Sequence, residues 1–218
     1  QYYGGLSINP ASGLNITGAL HYLHYSFPDF SGDWGGFSTK VAGYSGNFMS
    51  SRLSAYKYLG RFNFGGGISY STLNFKKQLQ KDVRLAFYPL GNLNFYTLST
   101  FFILSEDDNY DVKNFRSFKQ EIGFKTFGNI WFEAKIQAGD IKNYTEHDGF
   151  SIYNGNDTQT ARYDFSFIHV GDKTNIRLMA SYLEYYVDYY DLTEMRTVDL
   201  NKIESKGLTI IGEISWKF

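Results

Sequence analysis

The side chains most able to do chemistry lie in two short acidic segments of the chain. They are Glu106, Asp107 and Asp108 in the first segment, and Glu146, His147 and Asp148 in the second. Carboxylates beside a histidine can act as general acids and bases. Acidic loop residues are ordinarily solvated surface, and these segments match no catalytic spacing. We therefore interpret both segments as surface and predict no enzyme activity.

Signals for metal binding and for hydrolysis are weaker. Asp107, Asp108 and Asp111 offer the oxygen ligands that Ca²⁺ prefers, but their spacing matches no EF-hand loop. Lipid hydrolysis would need a serine beside a histidine, and no histidine has a serine at a distinctive spacing. We predict no catalytic residue, no cofactor and no metal site.

Strands must position these residues, because apolar and polar residues alternate along most of the chain. From Phe62 to Tyr70 every second residue is apolar or glycine, and the residues between them are Asn, Gly or Ser. The alternation recurs as far as the last segment, Gly207–Phe218, and no segment keeps a helical period. About ten strands are predicted, and an extra hairpin at Gly36–Tyr44 would make twelve.

Two kinds of connection alternate between these strands. Short glycine turns at Gly60, Gly91 and Gly128 supply the positive φ that tight hairpins require. The connections at the other strand ends are long and polar, namely Pro28–Asn47, Lys76–Lys81, Ser105–Phe115, Lys142–Gln159 and Tyr190–Lys206. The sequence therefore predicts short turns at one end and long loops at the other. Residues 14–218 form this all-β unit, and residues 1–13 form a separate N-terminal segment.

Composition excludes several classes of protein. The chain has 218 residues, a formal net charge of −1 and no cysteine. The near-neutral charge argues against nucleic acid as a partner, and the lack of cysteine excludes disulfides and thiol catalysis. No run approaches the roughly 20 apolar residues that a membrane-spanning helix needs. The chain begins at Gln1, and we expect a signal peptide to have been removed before it.

The volume of the apolar side chains decides which strand face points outward. Aromatic residues make up 19% of the chain. If the apolar face pointed inward, ten closed strands would place roughly 40–50 large side chains inside the barrel. The interior of a barrel of about eight strands is only just wide enough for side chains to fill it, so ten strands cannot enclose this volume. We therefore predict a closed antiparallel transmembrane β-barrel whose apolar face meets lipid. A soluble sandwich with these residues between two sheets is the alternative.

The polar face of this barrel would line its interior with charges of both signs. The predicted interior network comprises Asp82, Arg84, Lys119, Glu121, Lys125, Glu133, Lys135, Arg162, Asp164, Arg177, Glu213 and Lys217, and Arg52 joins it if its ambiguous strand faces inward. Buried charges are costly unless they are paired. We therefore predict an interlocked set of ion pairs and waters, with a narrow ion-selective passage as the alternative.

The last segment resembles the terminal strand by which bacterial outer-membrane barrels are recognised by their assembly machinery. It ends in Phe218, with Trp216, Ile214 and Ile210 on the same face. The composition, rich in Tyr, Phe and Asn, is similar to that of small barrels of Bacteroidota. The resemblance implies a Gram-negative outer membrane, with short periplasmic turns and long extracellular loops. It also implies contact with outer-membrane lipid and with the assembly machinery.

Three functions are compatible with such a barrel. We favour a non-enzymatic structural or accessory subunit of a larger outer-membrane complex, with other outer-membrane proteins as partners. The second hypothesis is a narrow porin or small-solute channel. The third is a surface adhesin or ligand binder that uses Tyr185–Tyr190 and Lys142–Gln159, because tyrosine supplies rigid amphipathic contact area.

Overall fold

The computed structural model describes residues 1–31, 40–73, 76–107, 112–142, 144–149, 151–152, 157–191 and 199–216. The strands are β1 (Tyr2–Ala11), β2 (Leu14–Ser31), β3 (Lys40–Leu59), β4 (Phe62–Leu73), β5 (Lys76–Phe87), β6 (Phe95–Asp107), β7 (Val112–Lys125), β8 (Ile130–Ile141), β9 (Thr145–Glu146), β10 (Ser151–Ile152), β11 (Thr158–Val170), β12 (Thr174–Asp191) and β13 (Asp199–Trp216). One 3₁₀ turn spans His147–Gly149. The described ranges contain no helix that is long and apolar enough to cross a membrane.

One antiparallel sheet contains eleven of these strands, and the prediction of an all-β fold is confirmed. Its order follows the chain from β1 to β8 and continues with β11, β12 and β13, while β9 and β10 form a separate pair. The ten strands that the sequence predicts all occur in this sheet, and Tyr2–Ala11 is an additional strand that pairs with β2. Within the described ranges no register joins β1 to β13.

The two ends of the sheet differ less than the sequence predicted. Glycines at the short turns have positive φ, as at Gly60 (φ 60°) and Gly128 (φ 64°). At the other end, strands continue into segments predicted as long loops. Lys76–Lys81 belongs to β5, and β2 and β3 stay in register as far as the pair Ser31 and Lys40. Backbone pairing needs no apolar alternation, so nothing in the sequence marked these extensions.

The polar face of the sheet is the buried face. Ser69, Gln78 and Gln137, on three different strands, are each 1% exposed. On the opposite face Val83 is 62% exposed and Ile210 is 68% exposed. We call the buried polar face the inner face and the exposed apolar face the outer face. This distribution is the reverse of the usual apolar interior.

The sheet curls around six residues of the connection between β8 and β11. These residues, 144–149, are called the inward segment. The Tyr3 hydroxyl on β1 donates to the Asp148 carbonyl oxygen at 3.4 Å, and the Tyr144 hydroxyl donates to Gln137 Oε1 on β8 at 3.5 Å. Inner-face residues on β11 and β12, such as Ser166 and Ser181, are also only 4% exposed, whereas one face of a flat single-layer sheet would leave them open to solvent. The sheet is therefore strongly curved, with its inner face concave.

Candidate functional site

The inward segment begins with an aromatic ring that packs on the inner face of the sheet. Tyr144 is 4% exposed, and its ring meets the Phe102 ring edge-on, with centroids 6.4 Å apart. Phe102 and Leu104 are buried on the inner face of β6. The sequence of β6 is apolar on both faces near its end because one face meets this tyrosine.

A buried ion pair fixes the middle of the inward segment. Lys119 Nζ on β7 donates to Glu146 Oε1 at 2.6 Å, and the two side chains are 11% and 2% exposed. The same ammonium group lies 5.5 Å from the centroid of the Phe102 ring. Such short charged hydrogen bonds are among the strongest in proteins. The pair therefore attaches the inward segment firmly to the curved sheet, which we call the wall.

The carboxylate of Asp148 is held by β3. Asp148 Oδ1 accepts hydrogen bonds from Ser54 Oγ at 2.9 Å and from the Tyr56 hydroxyl at 2.6 Å, and it lies 3.6 Å from Arg52 Nε. Asp148 has φ 55° and ψ 35°, a left-handed conformation that aspartate tolerates better than most residues. Arg52 also binds Asp82 through both terminal nitrogens, at 2.7 and 3.0 Å. Arg52 thus links the wall to the inward segment.

Backbone groups of the inward segment are also bound. The side-chain amide of Gln80 donates to the Thr145 carbonyl oxygen and accepts from the Thr145 N–H, both at 2.9 Å. His21 Nδ1 lies 3.1 Å from the Gly149 carbonyl oxygen, which requires the tautomer with a proton on Nδ1. Polar side chains on the inner face therefore satisfy backbone groups that a loop would otherwise expose to water.

Two glycines of β4 make room for the side chains that hold the inward segment. A Cβ atom on Gly65 would overlap the Tyr56 ring, and a Cβ on Gly67 would lie 2.5 Å from Arg52 Nη2. Glycines inside a strand, such as Gly65-Gly66-Gly67, either relieve crowding or bend the strand. The structure identifies what is accommodated, namely the phenol and the guanidinium beside Asp148.

A second polar cluster lies on β8, β11 and β12. Asp164 Oδ1 accepts from Ser181 Oγ at 2.6 Å and from Arg162 Nε at 2.8 Å, and Lys135 Nζ lies 3.4 Å from its other oxygen. Close by in the sheet, the Tyr96 hydroxyl donates to Glu133 Oε1 at 2.6 Å. The cluster around Asp148 and the cluster around Asp164 each contain side chains from several strands. Neither cluster could therefore form within a single hairpin.

The structure places the predicted interior residues on the inner face. We call one set of inner-face charged residues the wall charges, namely those that lie along the strands between the inward segment and the end of the sheet with the short turns. They are Arg52, Arg84, Lys119, Lys125, Lys135, Arg162 and Arg177, together with Asp82, Glu121, Glu133, Asp164 and Glu213. Lys217 lies outside the described residues. Glu213 is exposed on the edge strand β13, and Lys125 Nζ lies 4.5 Å from the centroid of the Trp131 ring.

The predicted terminal-strand residues lie on the opposite face. Ile210, Ile214 and Trp216 are exposed on the outer face of β13, and Trp216 is 64% exposed. Phe218 lies outside the described residues. The surface segment Tyr185–Tyr190 proposed for ligand binding belongs to β12.

The interpretation of both acidic segments as solvated surface is wrong for two of their members. Glu106 is 1% exposed and accepts from Lys76 Nζ at 2.9 Å and from Gln78 Nε2 at 2.8 Å. Glu146 is 4% exposed. Asp108 and Asp111 lie outside the described residues. In the described ranges no three His, Cys, Asp or Glu residues are grouped closely enough to hold a metal ion.

Two cavities lie beside these clusters. The first measures about 230 Å³ and lies between Arg84, Lys119 and the inward segment. The second measures about 140 Å³ and is lined by Lys135, Asp164 and Arg177. Glu121 lines both cavities. At the short-turn end, burial raises the pKa of the Tyr88 phenol.

The arrangement can hold ions and polar solutes, and its charged groups are mostly engaged with one another. Comparison with protein-family models, with curated proteins and with solved structures finds no match to this chain.

Proposed function

We propose that this chain is an integral β-barrel protein of a bacterial outer membrane, and that it acts as a non-enzymatic structural or accessory subunit. The observation that supports the proposal is the reversed burial of the sheet. Polar side chains such as Gln137 are buried on the concave inner face, and apolar ones such as Ile210 are exposed on the convex outer face. Membrane barrels have this distribution because lipid covers their outer face.

An aqueous setting would leave this outer face without a partner. Soluble monomers rarely expose a contiguous apolar patch of more than a few hundred Å². Here the exposed apolar residues extend from Leu20 on β2 to Ile214 on β13. A soluble sandwich would need a second sheet against them, and in the described ranges the only other strand pair is the two-residue pair β9–β10.

The accessory role is supported by the occupied interior. The inward segment binds wall residues on both sides of the curved sheet, such as Ser54 on β3 and Lys119 on β7. These contacts place a stretch of chain inside the interior, where it is bound to several strands. The exposed apolar outer face is then the surface available to other outer-membrane proteins.

Tryptophan fluorescence in lipid vesicles tests the membrane proposal. Trp216 is 64% exposed on the outer face, whereas Trp131 lies under Lys125 on the inner face. Each is retained as the single tryptophan by replacing the others with Phe. Brominated lipid should quench Trp216 strongly and Trp131 weakly. Equal weak quenching of both, or failure of the protein to float with the vesicles, would contradict the proposal.

A narrow channel is the second candidate, and the two cavities favour it. They share Glu121 and extend along the wall below the inward segment. Planar-bilayer recording separates the two functions, because a structural subunit should give no channel events under conditions in which its insertion is verified. Regular unitary currents from the unaltered protein would favour the channel.

A further inference from the structure

We propose that the inner wall is a binding site for the anionic groups of small solutes, and that the carboxylates of Glu146 and Asp148 occupy this site while the inward segment is in place. The site binds carboxylates or other small oxyanions. Removal of the segment would convert the interior into an anion-preferring passage. The inference goes beyond the accessory role, and only its conductance test depends on the proposed membrane location.

Charge balance is the first argument. Seven of the wall charges are cationic and five are anionic, which leaves two positive charges in excess. The inward segment adds two carboxylates, Glu146 and Asp148. Among the described residues, the charges at these levels therefore balance only when the segment is present. Charges at close quarters in a narrow pore determine which ions enter it.

The geometry at each carboxylate is the second argument. The carboxylate of Asp148 receives two hydroxyl donors, from Ser54 and Tyr56, and lies beside the Arg52 guanidinium. The carboxylate of Glu146 receives the Lys119 ammonium group at 2.6 Å. These donors project from the strands and not from the segment. A carboxylate from another molecule would meet the same donors once the segment has left.

Arg84 supplies the third argument. Its Nε is buried and has no hydrogen-bond partner, and its guanidinium lies 5.3 Å from the centroid of the Tyr56 ring. The side chain lines the cavity of about 230 Å³ that also meets Lys119, Glu146 and Asp148. A buried guanidinium donor that is left unsatisfied is costly. An oxyanion in this cavity would satisfy that donor.

Competition by a soluble anion tests the site in detergent, without a bilayer. The chain has no cysteine, so Ser54→Cys provides a single thiol beneath the inward segment, at a position that is 2% exposed. Its rate of reaction with a charged maleimide is measured in citrate and in chloride at equal ionic strength. We expect citrate to raise the rate at least threefold by displacing the segment. Equal rates would overturn the proposal.

A reversible clamp tests the passage. Ser54 Oγ and Asp148 Oδ1 lie 2.9 Å apart, so Ser54→Cys with Asp148→Cys places two thiols close together, and oxidation with a short reducible bis-thiosulfonate joins them and holds the segment in place. After flotation has verified insertion, the oxidised protein should be silent in a bilayer with a KCl gradient. The reduced protein should conduct. Its reversal potential should be shifted from zero toward the equilibrium potential of chloride, which indicates a preference for anions.

A second variant guards against an effect of the new thiols. Glu146→Gln with Asp148→Asn removes both carboxylates and should also conduct anions. Asp157→Asn, which changes an exposed carboxylate of the same connection, should stay silent. Silence of both the reduced clamp and the Gln/Asn variant, or a preference for potassium, would overturn the proposal. Failure of flotation would instead contradict the membrane location and leave the citrate measurement to decide about the site.

Discussion

Lys119 on β7 and Glu146 in the inward segment form an ion pair of 2.6 Å in which both side chains are almost fully buried. Their positions are 27 residues apart in the chain. The pair joins a strand in the middle of the sheet to a segment that the sequence predicted as exposed loop. It makes the folding of that segment depend on the folding of the wall.

Removal of one partner should destabilise the fold strongly. Lys119→Met removes the ammonium group that lies 2.6 Å from the buried Glu146 carboxylate, and breaking a buried pair in this way costs about 3–5 kcal/mol. The double variant Lys119→Met with Glu146→Met should recover most of the loss, since it leaves no buried charge. Urea unfolding in detergent micelles measures both. Lys173→Met, in an exposed turn, is the control, and additive losses in the double variant would contradict the interpretation.

A glycine-to-alanine change should act on the inward segment from a distance. Gly65→Ala would drive its methyl group into the Tyr56 ring, and Tyr56 is a hydrogen-bond donor to Asp148. We expect a loss of about 1–3 kcal/mol of unfolding free energy, as for other overpacked sites, and faster proteolysis of the inward segment. Gly212→Ala has open space around its Cβ and should be near neutral. Equal stability of the two variants would show that the ring moves freely.

Charge placed on the outer face distinguishes lipid from water as its surroundings. Val83→Lys changes a side chain that is 62% exposed. A water-facing surface tolerates such a change within about 0.5 kcal/mol, whereas a lipid-facing position in the middle of a barrel loses about 2–4 kcal/mol. We expect the larger loss, measured by unfolding in lipid vesicles. Leu93→Lys, at a 63% exposed position in a turn, should have little effect, and equal small effects would contradict the lipid-facing assignment.

Alternation in the sequence predicted the strands and the polar character of the inner face because both depend on local pattern. Phe62, Phe64 and Ile68 are exposed and Asn63 and Ser69 are buried, as their alternation indicates. Tyr2–Ala11 escaped prediction because Gly4 and Gly5 interrupt its pattern. The strand exists because its backbone pairs with β2, and such pairing leaves no mark in composition.

The inward segment could not be predicted from local pattern, because its partners are distant in the chain. Thr145 is bound by Gln80, 65 residues away, and Gly149 by His21, 128 residues away. Only one signal was present, namely the apolar residues on both faces of β6 near Phe102. Such residues at an otherwise polar inner position indicate that something apolar packs there, and Tyr144 is that group.

The odd number of strands determines the directions of the two edges. All ten pairings in the sheet are antiparallel, so the first and last of its eleven strands run the same way. Any hydrogen-bonded seam between β1 and β13 is therefore parallel, with slanted bonds that are slightly less stable per residue. Bacterial barrels with an even number of strands have no such seam. Within the described residues no backbone pairing joins β1 to β13, so opening the wall between these two edges would break none of the ten pairings.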